Sequence, residues 1–253
     1  MELFSRIEGK GPDLLILHGL FGLSDNWAGL ARSWSTHFEV HNIDLRNHGR
    51  SPWSEDWSYA FMAEDVLEYL NTKAISSAYV LGHSMGGKAA MQLAVDHPNR
   101  VEKLIVVDIG PKQYPTHHRS IVDALQSIDF SQLERRSEIS DALEPKIHDL
   151  GTRQFLLKNV HRSANGFAWR FNLDVIDAQL EEVGQCLVER DGYEAPALFI
   201  RGGKSGYILD DDLPGIHRHF PMMQLKTIQG AGHWVHAEKP KEVFDEVLSF
   251  LNA

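Results

Sequence analysis

The pentapeptide Gly82-His-Ser-Met-Gly86 places a serine between two glycines, where an apolar run gives way to a helical pattern. A G-x-S-x-G sequence in that setting is typical of a tight strand-to-helix turn that leaves a serine hydroxyl exposed at the strand end. The flanking glycines leave room where side chains would collide. A serine hydroxyl is a weak nucleophile near neutral pH, so it needs a base beside it. The pattern predicts Ser84 as a nucleophile, rather than a plain glycine-rich turn.

The histidines offer the base, but the chain has fourteen of them and most must have other roles. His233 lies in the small-residue loop GAGHW, after the last predicted strand and before the last predicted helix. That loop can reach the same sheet edge as Ser84, so His233 is predicted to be the base. His18 and His48 each precede a glycine in a turn, and structural roles are predicted for both. His118 has no candidate partner near it in the sequence.

The acid is predicted from a strand that ends on a charge. Four apolar residues after Lys103 lead directly to Asp108, and a buried carboxylate without a partner is costly. Hydrolases built on a strand-turn-helix serine carry their triad in the order serine, acid, histidine. Asp108 satisfies that order, and its charge would orient the imidazole and stabilise the imidazolium. The cluster Asp210–Asp212 is an alternative, although three carboxylates also suit the start of a helix.

Short apolar runs alternate with helical patterns along most of the chain, which favours an α/β fold with a mostly parallel sheet covered on both faces. The alternation stops between residues 111 and 195, where the sequence is charged and mostly helical in period. That stretch is too long for a loop within a compact domain. We therefore predict an α/β core of residues 1–110 and 196–253, with residues 111–195 forming a helical cap, or lid, at the carboxyl ends of the strands.

Composition excludes several classes of partner. The net charge of -10 argues against nucleic acid and disfavours an anionic membrane surface. The single cysteine, Cys186, excludes an internal disulfide and fits a reducing compartment. The N-terminal residues lack an apolar stretch of signal-peptide length, and no window approaches the ~20 apolar residues of a membrane helix. A cytoplasmic protein with a small-molecule substrate is expected, and the oligomeric state is not predicted.

The motifs HGLFG, DLRNHGRSP, GHSMGG, VVDIGP, GGKS and GAGHWVHAEKP occur in this order. Together with WRFNL, they resemble the α/β-hydrolase superfamily and, more closely, its small bacterial YbfF-type esterases. The resemblance implies an α/β-hydrolase fold with the cap inserted after the sixth strand, and no metal or organic cofactor. Most superfamily members carry the acid three residues after the glycine matched by Gly202, but Ser205 stands there. The closer subgroup has its acid at the position of Asp108 and a serine at that of Ser205, a candidate fourth member of the triad.

The resemblance also implies a function. The backbone N–H groups of Leu20 and Met85 would form the oxyanion hole, and the cap residues Phe155, Trp169 and Arg170 would contribute to the substrate pocket. The expected activity is a serine esterase that cleaves short- to medium-chain carboxylic esters through an acyl-enzyme, with acyl-CoA thioesters as further substrates. Two alternatives stay open: a carbon–carbon bond hydrolase or perhydrolase with the same triad, and a non-catalytic ligand-binding protein on this fold.

Overall fold

The computed structural model describes residues 1–164, 166–187 and 192–253. Its strands are β1 (Ser5–Gly9), β2 (Asp13–Leu17), β3 (Glu39–Ile43), β4 (Ala78–His83), β5 (Val101–Val107), β6 (Val160–Ser163), β7 (Gly166–Trp169), β8 (Ala197–Gly202) and β9 (Met223–Ile228). Its α-helices are α1 (Ala28–Trp34), α2 (Tyr59–Thr72), α3 (Met85–Asp96), α4 (Arg119–Gln126), α5 (Arg136–Leu143), α6 (Leu150–Leu157), α7 (Leu173–Ala178), α8 (Leu213–His219), α9 (Val235–Glu238) and α10 (Pro240–Asn252).

Seven strands form one sheet in the order β1-β3-β2-β4-β5-β8-β9. Only the pair β1 and β3 is antiparallel, and every other neighbouring pair is parallel. The central strands read as continuous apolar runs because helices cover both of their faces. This arrangement confirms the predicted α/β fold with a mostly parallel sheet.

The two faces of the sheet carry two separate apolar clusters, because successive strand residues point to opposite sides. On one face, Leu15 and Leu17 belong to a cluster with residues of α2 and α3. On the other face, Leu14 and Ile16 pack with residues of α1 and α10. None of the helices in the described part of the chain combines the length and apolar character needed to cross a membrane.

The segment between β5 and β8 differs from the prediction in two ways. Besides α4 to α7 it contains the antiparallel pair of β6 and β7, which join Val160 to Trp169. Strands of four residues with mixed polarity give little periodic signal, so the sequence suggested helices alone. The segment also follows the fifth strand of the chain, so the expectation of the sixth strand is wrong. Only four strands, β1 to β4, precede β5 in the chain, and the segment leaves the sheet directly after β5. Residues 165 and 188–191 of the predicted cap lie outside the described residues.

The strand order brings the predicted site residues to one edge. β4 and β5 are neighbours, and His83 pairs with Val107 at their carboxyl ends. Ser84 and Asp108, the next residues of each strand, therefore emerge side by side. The loop after β9, two strands away, brings His233 back over the same edge.

Candidate active site

Ser84 occupies a strained turn between β4 and α3. Its backbone has φ 52° and ψ -119°, a left-handed conformation that is uncommon for residues other than glycine. The chain folds back so tightly that a Cβ at Gly82 would lie 2.2 Å from the carbonyl oxygen of Gly86. A Cβ at Gly86 would lie 2.3 Å from the carbonyl oxygen of Leu17. The glycines of the G-x-S-x-G pattern are therefore required by close backbone contacts.

The structure brings Ser84, His233 and Asp108 into one hydrogen-bonded line. The Nε2 atom of His233 lies 3.0 Å from Ser84 Oγ, and its Nδ1 atom lies 2.7 Å from Asp108 Oδ2. A carboxylate accepts hydrogen bonds only, so Nδ1 carries the proton and donates it to Asp108. The lone pair of Nε2 then faces the hydroxyl of Ser84, which is the arrangement in which an imidazole can accept the serine proton.

Asp108 is completely buried, and three donors compensate for its burial. Besides His233, the backbone N–H of Gly202 donates to Oδ1 at 2.9 Å, and the hydroxyl of Ser205 donates to Oδ2. Asp108 itself has a left-handed backbone, with φ 54°. A charged residue can end this apolar strand because its carboxylate meets hydrogen-bond donors from two other loops.

The alternative acids of the cluster Asp210–Asp212 make other contacts. Asp210 forms an ion pair with Arg201 at 2.7 Å, and Asp212 forms one with Lys112 at 2.6 Å. The cluster forms a short 3-10 helix that leads into α8. The geometry therefore favours Asp108 over this cluster as the partner of His233.

Leu20 and Met85, the two predicted oxyanion donors, both lie close to Ser84: Met85 follows it in the chain, and Leu20 lines the same cavity. Met85 is the first residue of α3, and the first amides of a helix have no acceptor within the helix. Leu20 lies in the turn after β2, and among the described residues its N–H has no hydrogen-bond acceptor. The following residue, Phe21, has φ 56° and donates its N–H to Nε2 of His48 at 3.2 Å. That bond fixes the turn that carries the Leu20 amide.

His18 and His48 stabilise this turn as neutral rings. The Nδ1 of His18 donates to the carbonyl of Gly19 at 2.8 Å, while its Nε2 accepts the N–H of Leu45 at 3.0 Å. In the same way, Nδ1 of His48 donates to the carbonyl of Arg46 at 3.0 Å. Burial lowers the pKa of His18 to about 4 and that of His48 to about 3. Both rings are structural, in agreement with the prediction.

Aromatic rings hold the imidazole of His233 in place. The ring of Tyr207 stacks on it, with 4.0 Å between the ring centroids and 19° between the planes. Beneath it, the buried His83 donates Nε2–H to the carbonyl oxygen of His233 at 3.0 Å. Burial and the neighbouring rings of His236 and His233 hold the pKa of His83 well below its usual range. His83, which precedes the serine of the G-x-S-x-G pattern, therefore supports the loop that carries His233.

Two spaces adjoin Ser84. The main cavity has a volume of about 280 Å³ and is lined by Gly19, Leu20, Phe21, His83, Ser84, His118, Ile121, Thr152, Phe155, Leu156, Tyr207, His233, Trp234 and Glu238. The inner compartment has a volume of about 20 Å³ and is lined by Tyr59, Ser84, Met85, Ile109, Tyr114, Pro115, Thr116, His118, Val183, Gly184 and Tyr207. Ser84, His118 and Tyr207 line both spaces and form the boundary between them.

The predicted pocket residues are only partly found there. Phe155 lines the main cavity and packs against Trp234, with 5.3 Å between ring centroids. Trp169 does not line it: the alternation of β7 turns this side chain into the core, where it stacks on Phe171 at 5.3 Å. Arg170 is likewise not among the lining residues of the main cavity. It directly follows β7, and its backbone N–H donates to the carbonyl of Asn159.

His118 and Tyr207 are site residues that the sequence did not reveal. His118 precedes α4, and its Nδ1 is buried without a hydrogen-bond partner among the described residues. Burial, together with the nearby rings of His233 and His117, lowers the pKa of His118 to about 4. No motif surrounds either residue, since each reaches the site only through the packing of the segment after β5 or the loop after β8.

One cluster outside the site has the residue types of a metal site. Asp13, Glu39 and His41 lie close together at the amino ends of β2 and β3, far along the strands from Ser84. His41 already uses both ring nitrogens, one toward Asp13 at 2.9 Å and one toward the hydroxyl of Tyr69 at 2.8 Å. The cluster is explained by hydrogen bonds within the protein, and the site around Ser84 offers no comparable set of ligands among the described residues.

The fold and the site agree with the comparison to known families. The sequence model of the alpha/beta hydrolase fold family matches residues 12–240. Since this range covers most of the chain, the chain belongs to the alpha/beta hydrolase fold family.

Within that family, the chain is similar to esterases and lipases. It is 36% identical to esterase YbfF of Escherichia coli, covering 94% of this chain and 92% of that protein. It is 37% identical to the sn-1-specific diacylglycerol lipase ABHD11 of Mus musculus, covering 95% of this chain and 81% of that protein. A solved structure of a marine microorganism esterase superposes with a TM-score of 0.96 and 43% identity, over 98% and 99% of the two chains. These relatives confirm the predicted resemblance to YbfF-type esterases and the prediction of a carboxylic ester hydrolase.

Proposed function

We propose that this protein cleaves short- to medium-chain carboxylic esters through an acyl-enzyme on Ser84, and that acyl-CoA thioesters belong to its substrate range. The observation that carries the proposal is the hydrogen-bonded line from Ser84 Oγ through His233 to Asp108, with distances of 3.0 Å and 2.7 Å. Esters and thioesters both present a carbonyl carbon to an activated hydroxyl, so one constellation serves for both.

In the first half of the reaction, Ser84 Oγ bonds to the carbonyl carbon while its proton passes to His233 Nε2. The electron pair of the carbonyl double bond moves onto its oxygen. When the carbonyl forms again, the bond to the leaving oxygen or sulfur breaks. The leaving group takes the proton from His233, and the acyl group stays on Ser84. The buried charge of Asp108 stabilises the imidazolium during this step.

In the second half, a water molecule replaces the leaving group. His233 removes its proton as the water oxygen bonds to the acyl carbon, and the same proton then returns to Ser84 Oγ when the acid is released. In both halves, negative charge develops on the former carbonyl oxygen. The free amides of Leu20 and Met85 are the donors proposed to stabilise it, and removing one such donor typically costs roughly 10²–10³ in rate.

The segment of residues 111–195 is proposed to act as the cap of this site. It supplies to the main cavity the residues His118, Ile121, Thr152, Phe155 and Leu156. These side chains line the cavity at Ser84, where they would limit access of water to the acyl-enzyme. A cytoplasmic location and the absence of nucleic-acid and membrane partners stay predictions from the sequence.

The test is a chain-length series of esters and acyl-CoA thioesters, assayed beside Ser84→Ala. Turnover by the native protein that Ser84→Ala lacks is expected for both series. A fluorophosphonate probe should label the native protein and leave Ser84→Ala unlabelled, because only an activated serine reacts. A protein that neither labels nor turns over any member would be a binding protein, and the proposal would be wrong. Turnover of esters alone would remove the thioester part of it.

A further inference from the structure

The two spaces beside Ser84 differ in their relation to His233. The main cavity is lined by His233 and the next residue, Trp234. The inner compartment lies beyond Ser84 and is lined by Met85 and Ile109 instead, without His233. An ester carbonyl bound at Ser84 has two substituents, and each must enter one of these spaces.

The chemistry decides which substituent goes where. The leaving oxygen must receive its proton from Nε2 of His233, so it has to lie within hydrogen-bond reach of that atom. The alcohol part of the ester is therefore directed into the main cavity. The acyl chain, on the other side of the carbonyl carbon, is directed away from His233 and into the inner compartment.

From this direction and the sizes of the two spaces, we infer that the preferred substrates are acetate esters of larger, apolar alcohols. The inference rests on the proposed function and narrows it. The inner compartment offers about 20 Å³ to a water-sized sphere. Since a cavity needs ~10–15 Å³ of such volume to hold one water molecule, the compartment accommodates one group of about that size. The carbonyl carbon and oxygen of the substrate stay at Ser84 and the amides, so only the chain beyond them needs this space. A methyl group fits this space, and each methylene added to the acyl chain is disfavoured by it.

Hydrogen bonds between its walls keep the inner compartment small. The hydroxyl of Tyr59 donates to the carbonyl of Val183 at 2.7 Å, which joins α2 to the end of the cap segment. The hydroxyl of Tyr114 donates to the carbonyl of Tyr207 at 2.6 Å, and its N–H donates to the carbonyl of Gly184 at 2.8 Å. Since these polar atoms bond to one another, the compartment is bounded by cross-linked residues, and widening it would break several bonds.

A buried lysine reinforces the same walls from behind. The ammonium of Lys88 lies 5.5 Å from the ring centre of Tyr59 and 4.9 Å from that of Tyr114. It donates to the carbonyls of Lys112 at 2.8 Å and Gly184 at 3.4 Å, so it joins the nucleophile helix α3 to both ends of the cap segment. This ammonium opposes any outward movement of the two tyrosines.

The main cavity suits an apolar alcohol. Its volume is about 280 Å³, more than ten times that of the inner compartment. Ile121, Phe155, Leu156 and Trp234 give it apolar walls. A bulky alcohol would remove its apolar surface from water there, which stabilises binding by about 25 cal/mol per Å² of buried surface. The same group cannot enter the inner compartment.

Two isomeric esters test the direction of binding. Pentyl acetate and methyl hexanoate contain the same atoms, but only the first places its short end on the acyl side. We expect kcat/KM to be at least ~10-fold higher for pentyl acetate, the discrimination typical of a pocket that excludes extra methylenes. Equal values, or a preference for methyl hexanoate, would overturn the assignment of the two spaces while leaving an active serine hydrolase. Failure to cleave either isomer, together with no fluorophosphonate labelling, would overturn the proposed function and this inference with it.

The same substitution in each space provides a matched pair of variants. Ile109 lines only the inner compartment and Ile121 only the main cavity. Ile109→Ala should raise the ratio of kcat/KM for pentyl butyrate over pentyl acetate by ~10-fold, because it makes room for longer acyl chains. Ile121→Ala should leave that ratio unchanged. Both esters are measured on one sample, so the ratio is independent of the folded fraction, and Val183→Ala should give the same shift if Ile109→Ala does not fold. A ratio that responds to Ile121→Ala instead would contradict the inference.

Discussion

Acidification should destabilise this fold through its buried histidines. His18 and His48 each accept a backbone N–H at Nε2 while Nδ1 donates to a carbonyl, so neither ring has a free lone pair for a proton. Protonation in the folded state would replace an accepted hydrogen bond with two opposed donors. The buried His83 and His236 have lowered pKa values as well, the latter about 3, because burial disfavours their charged forms.

The sign and size of the effect follow from proton linkage. The folded pKa of each ring lies below the ordinary value of 6.5, so the unfolded chain binds protons first as the pH falls. Stability is therefore complete above pH ~6.5 and is lost below it, down to the folded pKa. At pH ~5.5, one such histidine costs about 1.4 kcal/mol of unfolding free energy, and four together cost about 5.6 kcal/mol. This loss is comparable to the whole stability of a marginal domain, ~5–15 kcal/mol.

Urea denaturation followed by tryptophan fluorescence, at pH ~7.5 and ~5.5 and constant ionic strength, measures this loss. His48→Gln keeps an acceptor for the N–H of Phe21 but cannot titrate, so it should reduce the pH-dependent loss by about 1.4 kcal/mol. His37→Gln, at an exposed histidine, is the matched control and should leave the loss as in the native protein. A free energy of unfolding that is equal at both pH values, or an unchanged loss in His48→Gln, would refute the reasoning.

Three further substitutions test the site itself. Asp108→Asn should lower kcat by ~10⁴-fold in an ester assay, because the amide fixes the wrong tautomer of the catalytic imidazole, while Asp210→Asn should stay near the native rate; the reverse result would assign the acid to the other cluster. Ser205→Ala removes one of three donors to a buried carboxylate and should cost ~1–3 kcal/mol in kcat/KM; native kinetics would show that this hydroxyl is dispensable. Gly86→Ala should abolish the soluble folded protein, judged by circular dichroism, because its Cβ would lie 2.3 Å from a backbone oxygen, whereas Gly215→Ala meets no atom within 4 Å and should fold normally.

The sequence predicted those site features that depend on backbone geometry. Ser84 could be placed because its turn requires glycines at fixed positions, and those glycines are visible as a pattern. His233 could be placed because a loop of small residues follows the last strand. The choice of Asp108 over the cluster at 210–212 needed the strand order, since only the β4–β5 neighbourhood puts the acid beside the nucleophile.

Other features depend on packing between distant segments and leave no local signal. The hairpin of β6 and β7 consists of short strands with little periodicity, and the alternation along β7 turns Trp169 away from the cavity. His118 and Tyr207 lie in segments without a motif, yet both line the two spaces at Ser84. The size of the inner compartment is set by hydrogen bonds between three separate elements, which no pattern along one segment encodes.

Histidine side chains have two different roles at this site, and the hydrogen-bond partner of Nε2 determines the role of each ring. In His18 and His48 that nitrogen accepts a backbone N–H, so its lone pair is occupied and the ring acts as a fixed brace for the turn of Leu20. In His233 it faces the hydroxyl of Ser84, so its lone pair can take a proton during the reaction. The amide of Leu20, carried by the turn that these two rings brace, is one of the two donors that the proposed mechanism needs at the oxyanion. Acid should therefore impair catalysis by protonating His18 and His48 and so loosening the turn that carries one proposed oxyanion donor.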